Sequence, residues 1–109
     1  MRIGFAESSR EGYIAVERLR RVGHLVDVSN TNDMLLGQHS RQHFDLLIAE
    51  ETLPHGMLVL ELFDEIGKTP LIVIGRSRYI DSEVQDRGGI FVTEGDYDAL
   101  MKAVQTIVR

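Results

Sequence analysis

Phe44-Asp45-Leu46-Leu47-Ile48-Ala49-Glu50-Glu51-Thr52-Leu53-Pro54 is the stretch whose reading decides the fold. An unbroken apolar run from Leu46 to Ala49 follows an aromatic start. Two carboxylates stop the run and a proline closes the turn. A run without polar alternation marks a strand buried on both faces, the central strand of a parallel sheet. In open parallel sheets the working groups collect just past the carboxyl ends of the strands. Glu50 and Glu51 therefore stand where a site belongs.

Upstream, Ile3-Gly4-Phe5-Ala6 is a short apolar strand ending in Glu7-Ser8-Ser9. Ser8-x-x-Glu11 has the spacing of a capping box and predicts a helix ended by Gly23, with Ile14, Leu19 and Val22 inward. His24 to Val28 is the second strand, and the cap-rich Ser29–Asp33 turn opens a helix from Met34 to about His43. Downstream, the spacing of Leu58, Leu62 and Phe63 predicts a helix from Met57 to Ile66. Pro70 to Gly75 is a second fully buried strand, and a short helix is expected from Asp81 to Asp86. Ile90 to Thr93 is the fifth strand. Asp96 then caps a final helix, Tyr97 to Val108, with Leu100, Val104, Ile107 and Val108 inward. Five successive strand–helix units imply right-handed crossovers. They predict one α/β domain over residues 1–109, with a flavodoxin-like five-stranded parallel sheet in the order 2-1-3-4-5 and helices on both faces.

The composition narrows the function classes. The chain of 109 residues is 43% hydrophobic and 27% charged, the balance of a globular domain. Its net charge of -5 argues against a sequence-independent nucleic-acid surface, which needs a basic stripe. It has no cysteine, and so no disulfide, thiolate nucleophile or Cys-based metal site. No run approaches the ~18 apolar residues that span a bilayer. Met1-Arg2 leads directly into a strand rather than a signal-like apolar region. The expectation is a cytoplasmic domain that contacts neither membrane nor nucleic acid directly.

Phe44-Asp45-Leu46-Leu47-Ile48 leading to Leu53-Pro54, together with Lys68-Thr69-Pro70-Leu71-Ile72-Val73-Ile74, resembles a bacterial response-regulator receiver domain, and the likeness spans essentially the whole chain. The resemblance implies the same fold and a role in two-component signalling. The family's chemistry is altered at each matching position. Two acidic residues that bind magnesium end the family's first strand; here they are Glu7 and Ser8. The phospho-accepting aspartate lies four residues before the proline; here it is Glu50. A Thr or Ser ends the fourth strand and a Lys the fifth; here they are Gly75 and Thr93.

Each change has a physical consequence. An extra methylene moves the Glu50 carboxylate by roughly a bond length, and ~1 Å of misplacement costs about a hundredfold in a transfer reaction. Losing a carboxylate at Ser8 weakens a hard-cation site. Without a lysine at Thr93, no cation faces the transferred group. Without a hydroxyl at Gly75, the phosphate's switch partner is missing. The expectation is a degenerate, phosphorylation-independent receiver with no catalytic residue and no cofactor. It would be the signalling module of an atypical response regulator, acting through protein contacts, including dimerisation and control of a transcriptional output domain. Glu50 either stands in for a phosphorylated aspartate or belongs to a decayed site. One alternative keeps a divalent cation such as Mg2+ on Glu7 and Glu50, with weak phosphorylation. Another is a flavodoxin-like cofactor-binding or enzymatic domain, which lacks support from any phosphate loop or dinucleotide glycine fingerprint.

Further expectations concern charge and surface. Glu7, Glu50 and Glu51 would form an acidic pocket in which like charges raise one another's pKa. Arg10 and Arg76 are the candidate compensators, one of them bridging Glu50 or Glu7. His39 and His43, four apart, have a zinc-compatible spacing without an evident third ligand. His55 lies near the pocket as loop surface. Receivers dimerise or touch partners through strand five and its flanking helices. The matching face would present Tyr79, Ile80, Val84, Gln85, Arg87, Tyr97, Leu100, Met101 and Gln105 to a protein partner or a second copy.

Overall fold

The computed structural model describes residues 1–53 and 55–108. Pro54, expected to close the turn after the third strand, and Arg109 lie outside the described residues. The elements are β1 (Arg2–Ala6), α1 (Arg10–Arg21), β2 (Leu25–Ser29), α2 (Asn32–Gln42), β3 (Leu46–Glu50), a 3-10 helix (Val59–Asp64), β4 (Leu71–Gly75), α3 (Arg78–Asp86), β5 (Ile90–Thr93) and α4 (Tyr97–Val108). All strand pairs are parallel and the sheet order is β2-β1-β3-β4-β5, as expected from the alternation of strands and helices.

All five residues of β3 and of β4 are buried, which is why these strands read as unbroken apolar runs. Successive side chains of a strand point to opposite faces. Leu46 and Ile48 enter the layer under α1 and α4, while Leu47 and Ala49 enter the layer under α2, the 3-10 helix and α3. The same alternation sends Glu50 to the α1 side and Glu51 to the α3 side.

Several local expectations are corrected. The cap of α1 is Ser9, not Ser8: its hydroxyl accepts the Gly12 amide at 3.0 Å. The Ser8 amide is spent on Glu50 instead. The inner face of α1 is Gly12, Ala15, Val16 and Leu19, and the small Gly12 and Ala15 let its first half lie close to the sheet. Val22 falls outside that stripe and is 60% exposed, and Val108 at the end of α4 is also exposed. The expected helix over Met57–Ile66 is only a 3-10 helix. Met57 is tied to α2 by both backbone groups: its amide donates to Asp33 at 3.0 Å and its carbonyl accepts from the Asn32 side chain at 2.9 Å. An α-helix starting at Met57 would compete for that carbonyl. The tighter turn still buries Val59 and Leu62, three apart, on one side. α2 begins two residues earlier than expected, with the Thr31 hydroxyl accepting the Met34 amide at 3.1 Å. Likewise α3 begins at Arg78 rather than Asp81, because Ser77 caps it.

Candidate functional site

The carboxyl ends of β1, β3, β4 and β5 bring Glu7, Glu50, Glu51, Gly75 and Thr93 together at one edge of the sheet. Glu50 is 5% exposed. One of its oxygens accepts the Ser8 amide at 2.6 Å and the other accepts the Ser9 hydroxyl. Ser9 serves twice, since its oxygen also accepts the Gly12 amide as the cap of α1. Burying a carboxylate needs such partners, and here the cap residue of α1 and the residue before it supply them.

Gly12 allows this packing. A β-carbon there would lie 2.7 Å from Glu7 Cβ and 3.1 Å from both Glu50 Oε1 and Glu7 Oε2. The two carboxylates flank one point and so stand within about 6 Å of each other, close enough for like charges to interact. Burial, and then the Glu50 charge, push the Glu7 carboxyl above its ordinary range, while a bond from the Ser9 amide works the other way.

Glu51 turns to the opposite face. Its carboxylate accepts the Ser77 amide at 3.2 Å and the Arg76 amide at 3.4 Å, at the N-terminus of α3. This placement accounts for Gly75. A β-carbon at position 75 would come within 2.6 Å of Glu51 Cβ and 2.7 Å of its Cδ.

The expected arginine compensators are displaced. Arg76 pairs with Glu94 at 3.2 Å rather than with Glu7 or Glu50. Arg10 is exposed on the first residue of α1 and forms no ion pair among the described residues. The physical reason is that Glu50 is already satisfied by a backbone amide and a hydroxyl, so a long cationic side chain has nothing to replace there.

A divalent cation implied by the resemblance does not fit this arrangement. Ser8 is exposed and offers no carboxylate, and both oxygens of Glu50 are engaged. Among the described residues no group of three or more His, Asp or Glu side chains is placed to hold a metal ion. Thr93 is exposed and lines a cavity of about 10 Å³ with Gly12, Ala15, Ile74, Val92 and Leu100, room for about one water.

The histidine pair has a structural explanation. His39 Nδ1 accepts the Phe44 amide at 3.0 Å, so its proton is on Nε2, which donates to the Thr69 hydroxyl at 3.1 Å. Its ring stacks on Phe44 and meets His43 edge-on. Both nitrogens of His39 are thereby used. His55 is exposed in the loop after β3.

The expected interaction face is also trimmed. Val84 is fully buried and Leu100 is 2% exposed, because both pack into the core. Ile80 packs partly into the layer under α3, and Tyr97 and Met101 partly into the layer under α4. The Tyr97 ring also lies 4.7 Å beneath the Arg18 guanidinium. Tyr79 is 67% exposed and remains a large surface residue.

No protein-family model matches the chain, and no curated protein matches it at a significant level. Solved structures do match its fold. The receiver domain of the TMAO respiratory system response regulator TorR superposes with a TM-score of 0.83 at 22% identity, covering 98% of this chain and 95% of that one. This is the receiver fold. The N-terminal domain of a response regulator/sensory box/GGDEF protein from Carboxydothermus hydrogenoformans gives a TM-score of 0.83 at 16% identity, covering 100% of this chain and 94% of its own. Chemotaxis protein CheY4 of Vibrio cholerae gives 0.79 at 16% identity, with 97% and 96% coverage. Likeness at this level carries the fold, and the chemistry rests on this chain's own residues.

Four residues that hold the site were not singled out in the sequence: Ser9, Gly12, Ser77 and Glu94. Ser77 had a local signal, a serine three residues before Ile80 whose amide its hydroxyl accepts at 3.2 Å. Ser9 was masked by its neighbour Ser8, which has the better capping-box spacing. Gly12 and Glu94 carried no local signal.

Proposed function

We propose that this domain is the signalling module of an atypical two-component response regulator and acts through protein–protein contact without phosphorylation of an acidic side chain. The observation that carries this reading is Glu50. It stands at the position matching the phospho-acceptor, is 5% exposed, and has a hydrogen bond on each carboxylate oxygen. A phosphoryl acceptor needs a free oxygen in line with the donor. Glu50 instead forms part of the packing between β3 and α1, and among the described residues no side-chain cation pairs with it to steady transferred charge.

In this reading the acidic edge holds one conformation, and function lies on the surface around β5, α3 and α4. Tyr79 leads that surface, with Gln85, Arg87 and Gln105 exposed around it. The partner is another protein or a second copy of the chain, and the contact governs an output domain such as a transcriptional one. The module needs no cofactor and performs no catalysis. No helix among the described residues is long and apolar enough to cross a membrane, in keeping with a cytoplasmic role.

The test is incubation with a small phosphodonor, such as acetyl phosphate, with and without magnesium, followed by intact-mass measurement. An unchanged mass is expected. A magnesium-dependent phosphoryl adduct on Glu50 would overturn the reading.

A further inference from the structure

We propose that Glu51 is a conformational latch: reaching across Gly75, its carboxylate holds the N-terminal turn of α3, and with it the Tyr79 surface, in one position. This inference rests on the reading of the domain as an interaction module, and it names the device that sets the shape of the interacting face.

Glu51 is anchored first by its own backbone, whose amide donates to the Ile74 carbonyl at 2.7 Å. Its side chain then folds over the end of β4, where only a glycine leaves room. There it accepts the Arg76 and Ser77 amides. These are the cap residue of α3 and the residue before it, at the helix end where backbone donors lack intrahelical partners and the dipole favours negative charge. Ser77 supplies the next partner, its hydroxyl accepting the Ile80 amide. Arg76 extends the brace: its guanidinium bridges Glu94, whose amide donates to the Gly75 carbonyl at 2.9 Å. The chain segments following β3 and β4 therefore meet at the Glu51 carboxylate, and the Arg76 guanidinium ties the segment following β5 to them through Glu94.

α3 depends on that brace. It has nine residues, and Val84 is its one fully buried side chain. A helix this short has marginal stability of its own and relies on tertiary contacts. Val84 and the partly buried Ile80 hold its inner side, whereas Glu51 holds its start. Tyr79 is the second residue of the helix, so the position of the first turn is the position of Tyr79. A carboxylate just past the end of β3 thus fixes the start of the helix, and a hydroxyl-bearing side chain at position 75 is sterically incompatible with it.

Amide hydrogen exchange on the intact domain tests the latch without a partner. Glu51→Ala should speed exchange at Arg76, Ser77 and Ile80 about tenfold, the loss of one hydrogen bond's protection, while β1 and β3 amides keep wild-type rates. Gly75→Ala should produce the same local pattern by expelling Glu51. The double variant Glu51→Ala/Gly75→Ala should exchange no faster than Glu51→Ala alone. Wild-type exchange at these amides in Glu51→Ala would overturn the proposal. So would Gly75→Ala adding its full effect in both backgrounds. Should Gly75→Ala fail to fold, the Glu51→Ala measurement decides by itself. A phosphoryl adduct on Glu50 would remove the functional reading and leave the latch measurement untouched, so the two failures are distinguishable.

Discussion

Glu50 and Ser9 are joined across 41 residues of chain, and each completes the other's hydrogen bonding. The Ser9 hydroxyl donates to the buried Glu50 carboxylate while its oxygen accepts the Gly12 amide that opens α1. A helix cap and the satisfaction of a buried charge are therefore one interaction. The acidic edge of the sheet is built into the fold rather than left open to solvent.

Ser9→Ala removes both roles at once. Loss of an N-cap costs about 1 kcal/mol. Loss of a hydrogen bond to a buried charged group adds about 1–3 kcal/mol. The expected destabilisation is about 2–4 kcal/mol in urea denaturation, with an unchanged m-value. Ser8→Ala should cost under about 0.5 kcal/mol, because Ser8 contributes its backbone amide and its side chain is exposed.

Gly12→Ala tests the close approach of α1. In a free helix the substitution gains about 1 kcal/mol of propensity. Here the new β-carbon meets Glu7 Cβ at 2.7 Å and the Glu50 carboxylate at 3.1 Å. Overpacking of about 1–3 kcal/mol outweighs the gain, so the melting temperature should fall. A rise would show that α1 can move away from the sheet without loss.

Glu7 sets a pH dependence of definite sign. Its carboxyl titrates above the ordinary 4.5, chiefly through burial and then through Glu50. The folded state therefore binds this proton more tightly than the unfolded chain does. The stability this group contributes is complete below pH 4.5 and is lost as the pH rises through the raised value. At pH 7 the charged Glu7 is a net cost. Glu7→Gln should raise the melting temperature at pH 7 by about 2–3 °C, and the gain should vanish near pH 4. Thermal denaturation across that range checks it.

His39 acts in the opposite direction. Burial, and then His43, lower its pKa from 6.5, and its Nδ1 must stay unprotonated to accept the Phe44 amide. The unfolded chain takes up the proton first. Stability is therefore complete above pH 6.5 and declines as the pH falls through that value toward the lowered one. His24 is shifted the same way by burial and the chain's amino terminus. The His39→Phe variant should lose part of the slope between about pH 7 and pH 5 and retain the part due to His24. An undiminished slope would remove His39 from this role.

The parts of the molecule legible in the sequence are those set by near neighbours. β3 and β4 were readable because burial on both faces leaves a continuous apolar run, and α4 because Asp96 caps it at close range. Where a nearer competitor is present, local signals mislead: Ser8 has better capping-box spacing than Ser9, and the Met57–Ile66 periodicity hides the tie between Met57 and α2. The exposed face is narrower than the sequence predicts for a related reason. Val84 sits in a polar segment, and only the packing of α3 against the sheet shows that it is core.

The sequence by itself determined the five strand–helix units, their parallel order and the position of Glu50 and Glu51 past the end of the central strand. Apolar runs and capping residues act over a few residues, so their meaning survives in the one-dimensional record. Tertiary structure alone decided what those two glutamates do. Their partners lie 42 and 41 residues away for Glu50, at Ser8 and Ser9, and 25 and 26 residues away for Glu51, at Arg76 and Ser77. Three of those four, Ser8, Arg76 and Ser77, are partners only through backbone amides, which carry no residue identity for a sequence to display. The arginines that charge alone nominated were bypassed, because a buried carboxylate is satisfied by whichever donors the fold brings within hydrogen-bonding distance.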